Sequence, residues 1–130
     1  RSATALADLV NPVTAQYHLA FVASDTFYEH THRYPGQRHD WQADVDPLLS
    51  HAQTYCARIG LDLSDSDRVR LQHACYELAR GGHADTPSTS AYLGGVAAQE
   101  VIKILTVQYI PLDNTCVYDG IVQAVSSFRL

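Results

Sequence analysis

Apolar residues recur at three- and four-residue spacing through most of the chain, and they alternate with polar residues only near its end. The chain contains four helix start signals. They are Asn11-Pro12, Asp46-Pro47, the run Ser64-Asp65-Ser66-Asp67, and Thr86-Pro87. Together these features predict helices over about 12–33, 47–59, 65–80 and 87–105. The expected apolar stripe of the first helix comprises Val13, Tyr17, Ala20, Phe21, Ser24, Phe27 and Tyr28.

The segments between these helices carry turn and loop signals. Tyr34-Pro35-Gly36 is expected to end the first helix, and Gly60 is well placed as a C-terminal cap of the second. Residues 37–46 are predicted to form a loop, with Trp41 and Val45 anchoring it to the core. The first three helices should therefore form a bundle.

The period of the pattern changes after the fourth predicted helix. Residues 107–111 alternate, residues 115–118 are rich in β-formers, and Asp119-Gly120 is a hairpin signal. Alternation continues over 122–130. The predicted fold class is α+β and mainly helical, a helical bundle followed by a long buried helix and a small antiparallel β-meander.

The fourth helix is predicted to be buried because its water-facing side is very narrow. Only Gln99, Glu100 and Lys103 are strongly polar, and they share one stripe. The small and apolar residues Gly94, Ala97, Ala98 and Val101 would form a smooth face that lets another backbone approach closely. That face fits tight packing on a sheet of the same fold, which is the simpler interpretation, or a position at a subunit interface.

Composition excludes several functional classes. The 130 residues suit one domain, the net charge is −5, and the dispersed basic residues argue against a nucleic-acid partner. No apolar run approaches the ~20 residues of a membrane span, and the N-terminus lacks the pattern of a signal peptide. Three scattered cysteines indicate reduced thiols and a cytoplasmic or nuclear location. Because the chain contains no methionine, it is expected to be part of a longer protein.

Candidate chemistry is sparse, so no catalytic, cofactor-binding or metal-binding residue is predicted. Gly94-Gly95 follows a helical pattern and not a strand, which does not suit a phosphate-binding loop. Cysteines 56, 75 and 116 lie among apolar neighbours and are interpreted as core residues. One remaining candidate is the histidine cluster His30, His32 and His39, which is expected to lie at a solvated helix end. The other is the set of aromatic residues Tyr28, Tyr34 and Trp41, which is expected to form a minicore.

Four segments carry a resemblance to a known family. Residues 90–103, Ser-Ala-Tyr-Leu-Gly-Gly-Val-Ala-Ala-Gln-Glu-Val-Ile-Lys, resemble the late helix of the adenylation-type fold in activating enzymes for ubiquitin and ubiquitin-like modifiers. Residues 114–120 resemble the strand that follows it. The turn Arg33-Tyr34-Pro35-Gly36 and the ending 126–130 resemble the regulatory, non-catalytic subunits of heterodimeric neddylation-activating enzymes.

This resemblance implies a domain organisation and a role. Residues 1–86 would belong to a helical insertion, and residues 87–130 would complete an inactive adenylation-like domain of the ThiF/Rossmann type. ATP, magnesium and the thioester cysteine would belong to a catalytic partner subunit, while the regulatory subunit would complete the heterodimer and shape the groove for the ubiquitin-like modifier. The expected interface residues are Gly94, Gly95, Ala97, Ala98 and Val101, and the isolated chain is expected to self-associate.

Three alternatives remain open at this point. The chain could be part of the inactive half of a ubiquitin- or SUMO-activating enzyme, or of a homodimeric ThiF/MoeB-like adenylating enzyme. The homodimeric type would require an upstream nucleotide loop and usually paired Cys-x-x-Cys zinc ligands, which this sequence lacks. The third alternative is an unrelated helical adaptor whose last helix mimics the motif.

Overall fold

The computed structural model describes residues 4–5, 12–82, 84, 86–113 and 115–128, and the chain divides into two compact units, Arg1–His83 and Ala84–Leu130. Four α-helices account for most of the described residues. They are α1 (Pro12–Thr31), α2 (Val45–Ile59), α3 (Asp65–Gly81) and α4 (Pro87–Thr106). The strands are β1 (Thr4–Ala5), β2 (Leu61–Asp62), β3 (Thr115–Asp119) and β4 (Ala124–Phe128).

The first unit is a three-helix bundle in which α1 packs against both α2 and α3. Short β1 pairs in parallel with β2, just after α2. Apart from Phe27, small and medium apolar side chains fill the centre, which allows the three helices to approach closely. The most deeply buried are Ala15, Leu19, Ala20, Ala23, Phe27, Leu48, Ala52, Cys56, Leu71, Ala74, Cys75 and Ala79.

The buried face of α1 differs from the predicted stripe. Ala20, Ser24 and Phe27 are buried as expected, but Phe21 and Tyr28 are 52% and 43% exposed. Leu19 and Ala23, which the stripe omitted, are fully buried. Because α1 has a neighbour on two sides, its buried face is centred on small residues between them. The predicted cap at position 11 lies outside the described residues.

The helix ends follow local signals closely, with two differences. His32 adopts a left-handed conformation (φ 54°), so α1 ends at Thr31 and not at 33. The predicted loop contains a 3₁₀ helix (Trp41–Asp44) that leads directly into α2, two residues before the predicted start. The anchoring prediction is confirmed for Val45, which is buried.

Capping explains the limits of α2 and α3. Gly60 takes the left-handed conformation (φ 72°) at the C-cap of α2, as predicted. Ser64 and Asp67 form a reciprocal capping box, in which the Ser64 hydroxyl accepts from the Asp67 amide and the Asp67 carboxylate accepts from the Ser64 amide. Gly82 ends α3 with its amide donating to the Leu78 carbonyl at 2.9 Å.

The second unit consists of α4 and one antiparallel hairpin. Strands β3 and β4 pair in a register running from Thr115 opposite Phe128 to Asp119 opposite Ala124. The Asp119 carboxylate closes the turn by accepting from the Ile121 amide at 2.9 Å.

Two parts of the fold prediction need correction. The α+β, mainly helical class is confirmed, but the described residues form a two-stranded hairpin and not a meander, because Val107 and Tyr109 have positive φ and 107–113 contains no strand. The prediction that 87–105 is a buried helix is also wrong for this chain, since α4 has no buried side chain. The hairpin is too small to enclose a helix of 20 residues.

Candidate functional site

The most unusual surface of the molecule is one side of α4. Gly94, Ala98, Val101 and Leu105 follow each other at helical spacing along this side, which we call the open face of α4. Leu105 is 77% exposed. The flanking positions are exposed as well, to differing extents, and they are Leu93, Gly95, Ala97, Ile102 and Ile104. A contiguous exposed apolar surface of this kind is typical of a protein–protein contact.

The two glycines of α4 have no structural explanation among the residues that the structure describes. Both lie in the helix interior, where each glycine costs about 1 kcal/mol relative to alanine. A Cβ atom added to Gly94 or Gly95 would meet nothing within 4 Å. The close approach that would justify glycine therefore involves no described atom. All five predicted interface residues, including Ala97, Ala98 and Val101, are exposed.

The opposite side of α4 is the side that makes contacts inside the second unit. Tyr92 packs on Tyr118 of β3 with ring centroids 4.5 Å apart. Glu100 accepts from Lys103 Nζ at 2.6 Å and from the Leu112 amide at 2.8 Å. The Lys103 hydrogen bond, with that of the Leu112 amide, lowers the pKa of the Glu100 carboxyl. These contacts explain the narrow polar stripe, which binds the segment after the helix and leaves the open face uncovered.

The first unit contains a second candidate feature, the turn Arg33-Tyr34-Pro35-Gly36. The Arg33 guanidinium donates to both carboxylate oxygens of buried Asp44, at 2.6 and 2.5 Å, and the Gly36 amide donates to the same carboxylate at 3.0 Å. The hydrogen bond from Arg33 holds the pKa of Asp44 below its ordinary value. A Cβ on Gly36 would lie 2.1 Å from the Ala79 carbonyl oxygen, and its φ is +79°, so only glycine fits.

Sequence reasoning missed Asp44. The only signal was an acidic residue between two apolar anchors, Trp41 and Val45, and that signal does not identify a partner eleven residues away.

The predicted aromatic minicore is wrong as a single cluster. Tyr28 and Tyr34 stack with ring centroids 4.8 Å apart, and both remain about half exposed. Trp41 instead packs edge-on against Tyr76 of α3, at 5.0 Å. The rings therefore form two separate pairs, with Tyr34 on a residue of α1 and Trp41 on a residue of α3.

The histidine cluster occupies a solvated helix end, as predicted. His30, His32 and His39 are all exposed. His30 Nδ1 donates to the Thr26 carbonyl at 2.8 Å, and its ring stacks on His51 of α2 at 5.1 Å. Within the described parts of the chain, no group of three or more histidine, cysteine or acidic side chains is arranged to hold a metal ion.

The cysteines are largely core residues. Cys56 and Cys75 are buried, and burial raises the pKa of the Cys75 thiol to about 12. Cys116 in β3 is half-buried, which differs from the core position expected for it. All three are free thiols.

No helix among the described residues is long and apolar enough to cross a membrane.

Comparison with known proteins gives several related sequences. The chain is 36% identical over 114 residues to a Nedd8-activating enzyme E1 regulatory subunit of Drosophila melanogaster, covering 88% of this chain and 21% of the relative. It is 32% identical over 114 residues to the corresponding subunit of Gallus gallus, covering 87% and 20%. It is also 32% identical over 116 residues to ubiquitin-activating enzyme E1 1 of Schizosaccharomyces pombe, covering 88% and 11%. No family model matches the chain.

By sequence, the chain is homologous to part of a NEDD8-activating enzyme E1 regulatory subunit. The resemblance drawn from residues 33–36, 90–103, 114–120 and 126–130 is thereby confirmed. The chain spans about one fifth of the length of these NEDD8-activating relatives. The comparison therefore relates the chain to regulatory subunits of the neddylation pathway. It does not by itself assign to this chain the activity or the partners of a whole subunit.

Proposed function

We propose that this chain is a non-catalytic scaffolding part of a NEDD8-activating enzyme, and that the open face of α4 packs against protein outside these 130 residues. The observation that carries the proposal is the pair of helix-interior glycines facing empty space within a sequence homologous to regulatory subunits. The length of the relatives supports it, because four fifths of a related subunit lies outside the matched segment.

The proposed organisation assigns a different task to each unit. The bundle formed by α1, α2 and α3 would belong to a helical insertion, and residues 87–130 would complete an inactive adenylation-like domain of the ThiF/Rossmann type. Helix α4 would then pack through Gly94, Gly95, Ala97, Ala98 and Val101 on the rest of that domain or on the catalytic subunit. Exposed Leu105 and Ile104 on the same side support this orientation.

The chemistry of activation is assigned to the catalytic partner, which would bind ATP and magnesium and carry the ubiquitin-like modifier on a cysteine. The amides of Gly94 and Gly95 lie inside a helix, where backbone N–H groups are used in helical hydrogen bonds, so they form no phosphate cradle. Burial raises the pKa of the Cys56 and Cys75 thiols, which disfavours the nucleophilic thiolate. The proposed location is the cytoplasm, the nucleus or both.

Modifier-dependent ATP–pyrophosphate exchange tests this function. The full-length polypeptide that contains these residues would be co-expressed with candidate catalytic subunits, and NEDD8, ubiquitin and SUMO would be supplied separately. Exchange with NEDD8 that requires the catalytic subunit is expected. Exchange by the polypeptide without any partner would contradict the proposal.

A matched pair of variants tests the role of α4 in the same experiment. Leu105→Glu places a charge on the open face and is expected either to abolish co-purification with the catalytic subunit or to lower the unfolding stability of the full-length polypeptide. Val69→Glu changes an exposed apolar residue of α3, which is 66% accessible, and is expected to preserve both. Equal behaviour of the two variants would contradict an interface on α4.

A second candidate function is a place in the inactive half of a ubiquitin-activating enzyme. The 32% identity to ubiquitin-activating enzyme E1 1 over 88% of this chain favours it. Exchange with ubiquitin in place of NEDD8 would select this alternative and leave the scaffolding role of α4 unchanged.

A further inference from the structure

A groove in the first unit is separate from the open face of α4. It lies between α1, the Tyr34-Pro35 turn and the C-terminal end of α3, and its volume is about 510 Å³. Phe21 and Val22 of α1 and Leu78 of α3 give it apolar walls. This volume lies within the range of specific ligand pockets, which are typically apolar with a few polar groups.

The groove is preorganised by the contacts of the turn. The bidentate pair between Arg33 and Asp44 and the close packing of Gly36 on Ala79 fix the backbone on either side of Tyr34. Stacking on Tyr28 then holds the Tyr34 ring at the rim, where it is 45% exposed. Rigid aromatic side chains on a fixed turn bind with a small loss of conformational entropy.

The charge of the groove is negative. Asp25 supplies a carboxylate to its lining, and no lysine or arginine lines it. Asp25 forms no ion pair with any residue in the described part of the bundle. The other titratable group in the lining is His18 of α1, and burial lowers the pKa of its imidazole, which favours the neutral form. Ser24 is already used, since its hydroxyl donates to the Phe21 carbonyl.

We propose that this groove binds a segment of a partner protein through one arginine or lysine side chain flanked by apolar residues. The cation would lie between the Asp25 carboxylate and the exposed aromatic rings of Phe21 and Tyr34, where both ionic attraction and cation–π contact favour it. The flanking apolar side chains would cover Val22 and Leu78. This inference does not depend on the activity proposed above, because it concerns the bundle alone.

The probe is the tripeptide acetyl-Leu-Arg-Phe-amide, titrated into the isotope-labelled 130-residue chain and followed by amide chemical shifts. The expected result is saturable shifts confined to α1, the turn and the end of α3, with millimolar or tighter affinity. The same peptide with neutral citrulline in place of arginine should bind at least about threefold more weakly. Equal binding of the two peptides, or no shifts up to about 10 mM, would overturn the proposal.

Two further comparisons distinguish the contribution of the cation to binding from that of the apolar walls of the groove. Acetyl-arginine-amide lacks the flanking residues and should bind more weakly than the tripeptide, and equal affinity would contradict a segment-binding groove. Asp25→Asn should weaken the tripeptide about three- to tenfold, whereas Asp62→Asn, which removes an exposed carboxylate outside the groove, should not change it. Equal loss of tripeptide affinity in both variants would mean that net charge alone causes the effect, and it would overturn the proposed site.

Discussion

Helices α3 and α4 have nearly the same length and opposite relations to water. Six of the 17 residues of α3 are charged, yet α3 buries Leu71, Ala74, Cys75 and Ala79. Only two of the 20 residues of α4 are charged, and α4 buries none. Composition therefore does not determine burial in this molecule. Burial depends on the presence of a neighbouring element, and α3 has two helices beside it.

The comparison also explains why the apolar surface of α4 exists. An apolar side chain left exposed contributes nothing to folding, and a glycine in a helix interior lowers helix stability. Both features occur along one side of α4. Protein outside the chain that covers this side would explain them. The following experiments test whether α3 is covered within the chain and α4 is not.

The largest expected effect comes from truncating a leucine in each helix. Leu71→Ala opens a cavity in the core of the bundle and should lower the free energy of unfolding by about 2–5 kcal/mol. Leu105→Ala removes the same atoms from a largely exposed position and should change it by less than about 0.5 kcal/mol. Denaturant titration measures both values. Similar losses in the two variants would show that α4 is covered within the chain.

The next effect concerns the ion pair that fixes the turn. Asp44→Asn leaves Arg33 without its charged partner and should lower the free energy of unfolding by about 2–4 kcal/mol. The effect is large because Asp44 is buried, and it is limited because Arg33 stays partly solvated. Glu77→Gln removes the solvated contact with Arg80 and serves as the control, with little change expected in the unfolding midpoint. A smaller loss for Asp44→Asn than for the control would contradict this ranking.

The same carboxyl makes the bundle sensitive to acid. Because the folded pKa of Asp44 lies below its unfolded value, which is near 3.9, its contribution to stability is present above that pH. The contribution is lost as the pH falls through the folded pKa. Unfolding free energies measured from pH 7 to pH 2 should therefore decline less steeply below about pH 4 for Asp44→Asn than for the unmodified chain.

Self-association is the third expected outcome. Uncovered apolar residues on α4 should make the chain associate as its concentration rises, which sedimentation velocity would detect. Ile104→Lys should shift the distribution toward the monomer, and Val69→Lys on α3 should not. A chain that remains monomeric at high concentration would contradict the proposed exposure of a contact surface.

The smallest effect is local to α3. Ser64→Ala removes one half of the capping box and should lower the free energy of unfolding by about 1 kcal/mol. Ser50→Ala, at an exposed serine of α2, is the control and should be nearly neutral. Thermal unfolding followed by circular dichroism gives both values, and equal losses would rule out the capping role of Ser64.

Features encoded in a few neighbouring residues were predictable. The cap at Gly60, the start of α3 after Ser64 and the Asp119 turn each depend on local chemistry, and the structure contains all three. The partner of Arg33 was not predictable, because it depends on how the loop folds back to Asp44. The burial of α4 was predicted wrongly because apolarity indicates that a helix needs a partner, and not that the partner belongs to the same chain.

The central claim is that the glycines of α4 are present for a neighbour outside the chain. Gly94→Ala, measured by hydrogen exchange of the α4 amides, should stabilise the helix by up to about 1 kcal/mol in the 130-residue chain. The matched variant Gly81→Ala, also at a helical glycine facing open space, provides the comparison.

The decisive measurement is the affinity of the full-length polypeptide for the proposed catalytic subunit, or the unfolding stability of the proposed adenylation-like domain, with and without Gly94→Ala. We predict that one of these falls by about 1–3 kcal/mol while Gly81→Ala leaves both unchanged. If Gly94→Ala stabilises α4 in the 130-residue chain and costs nothing in the full-length complex, the open face of α4 is not a contact surface and the account is wrong.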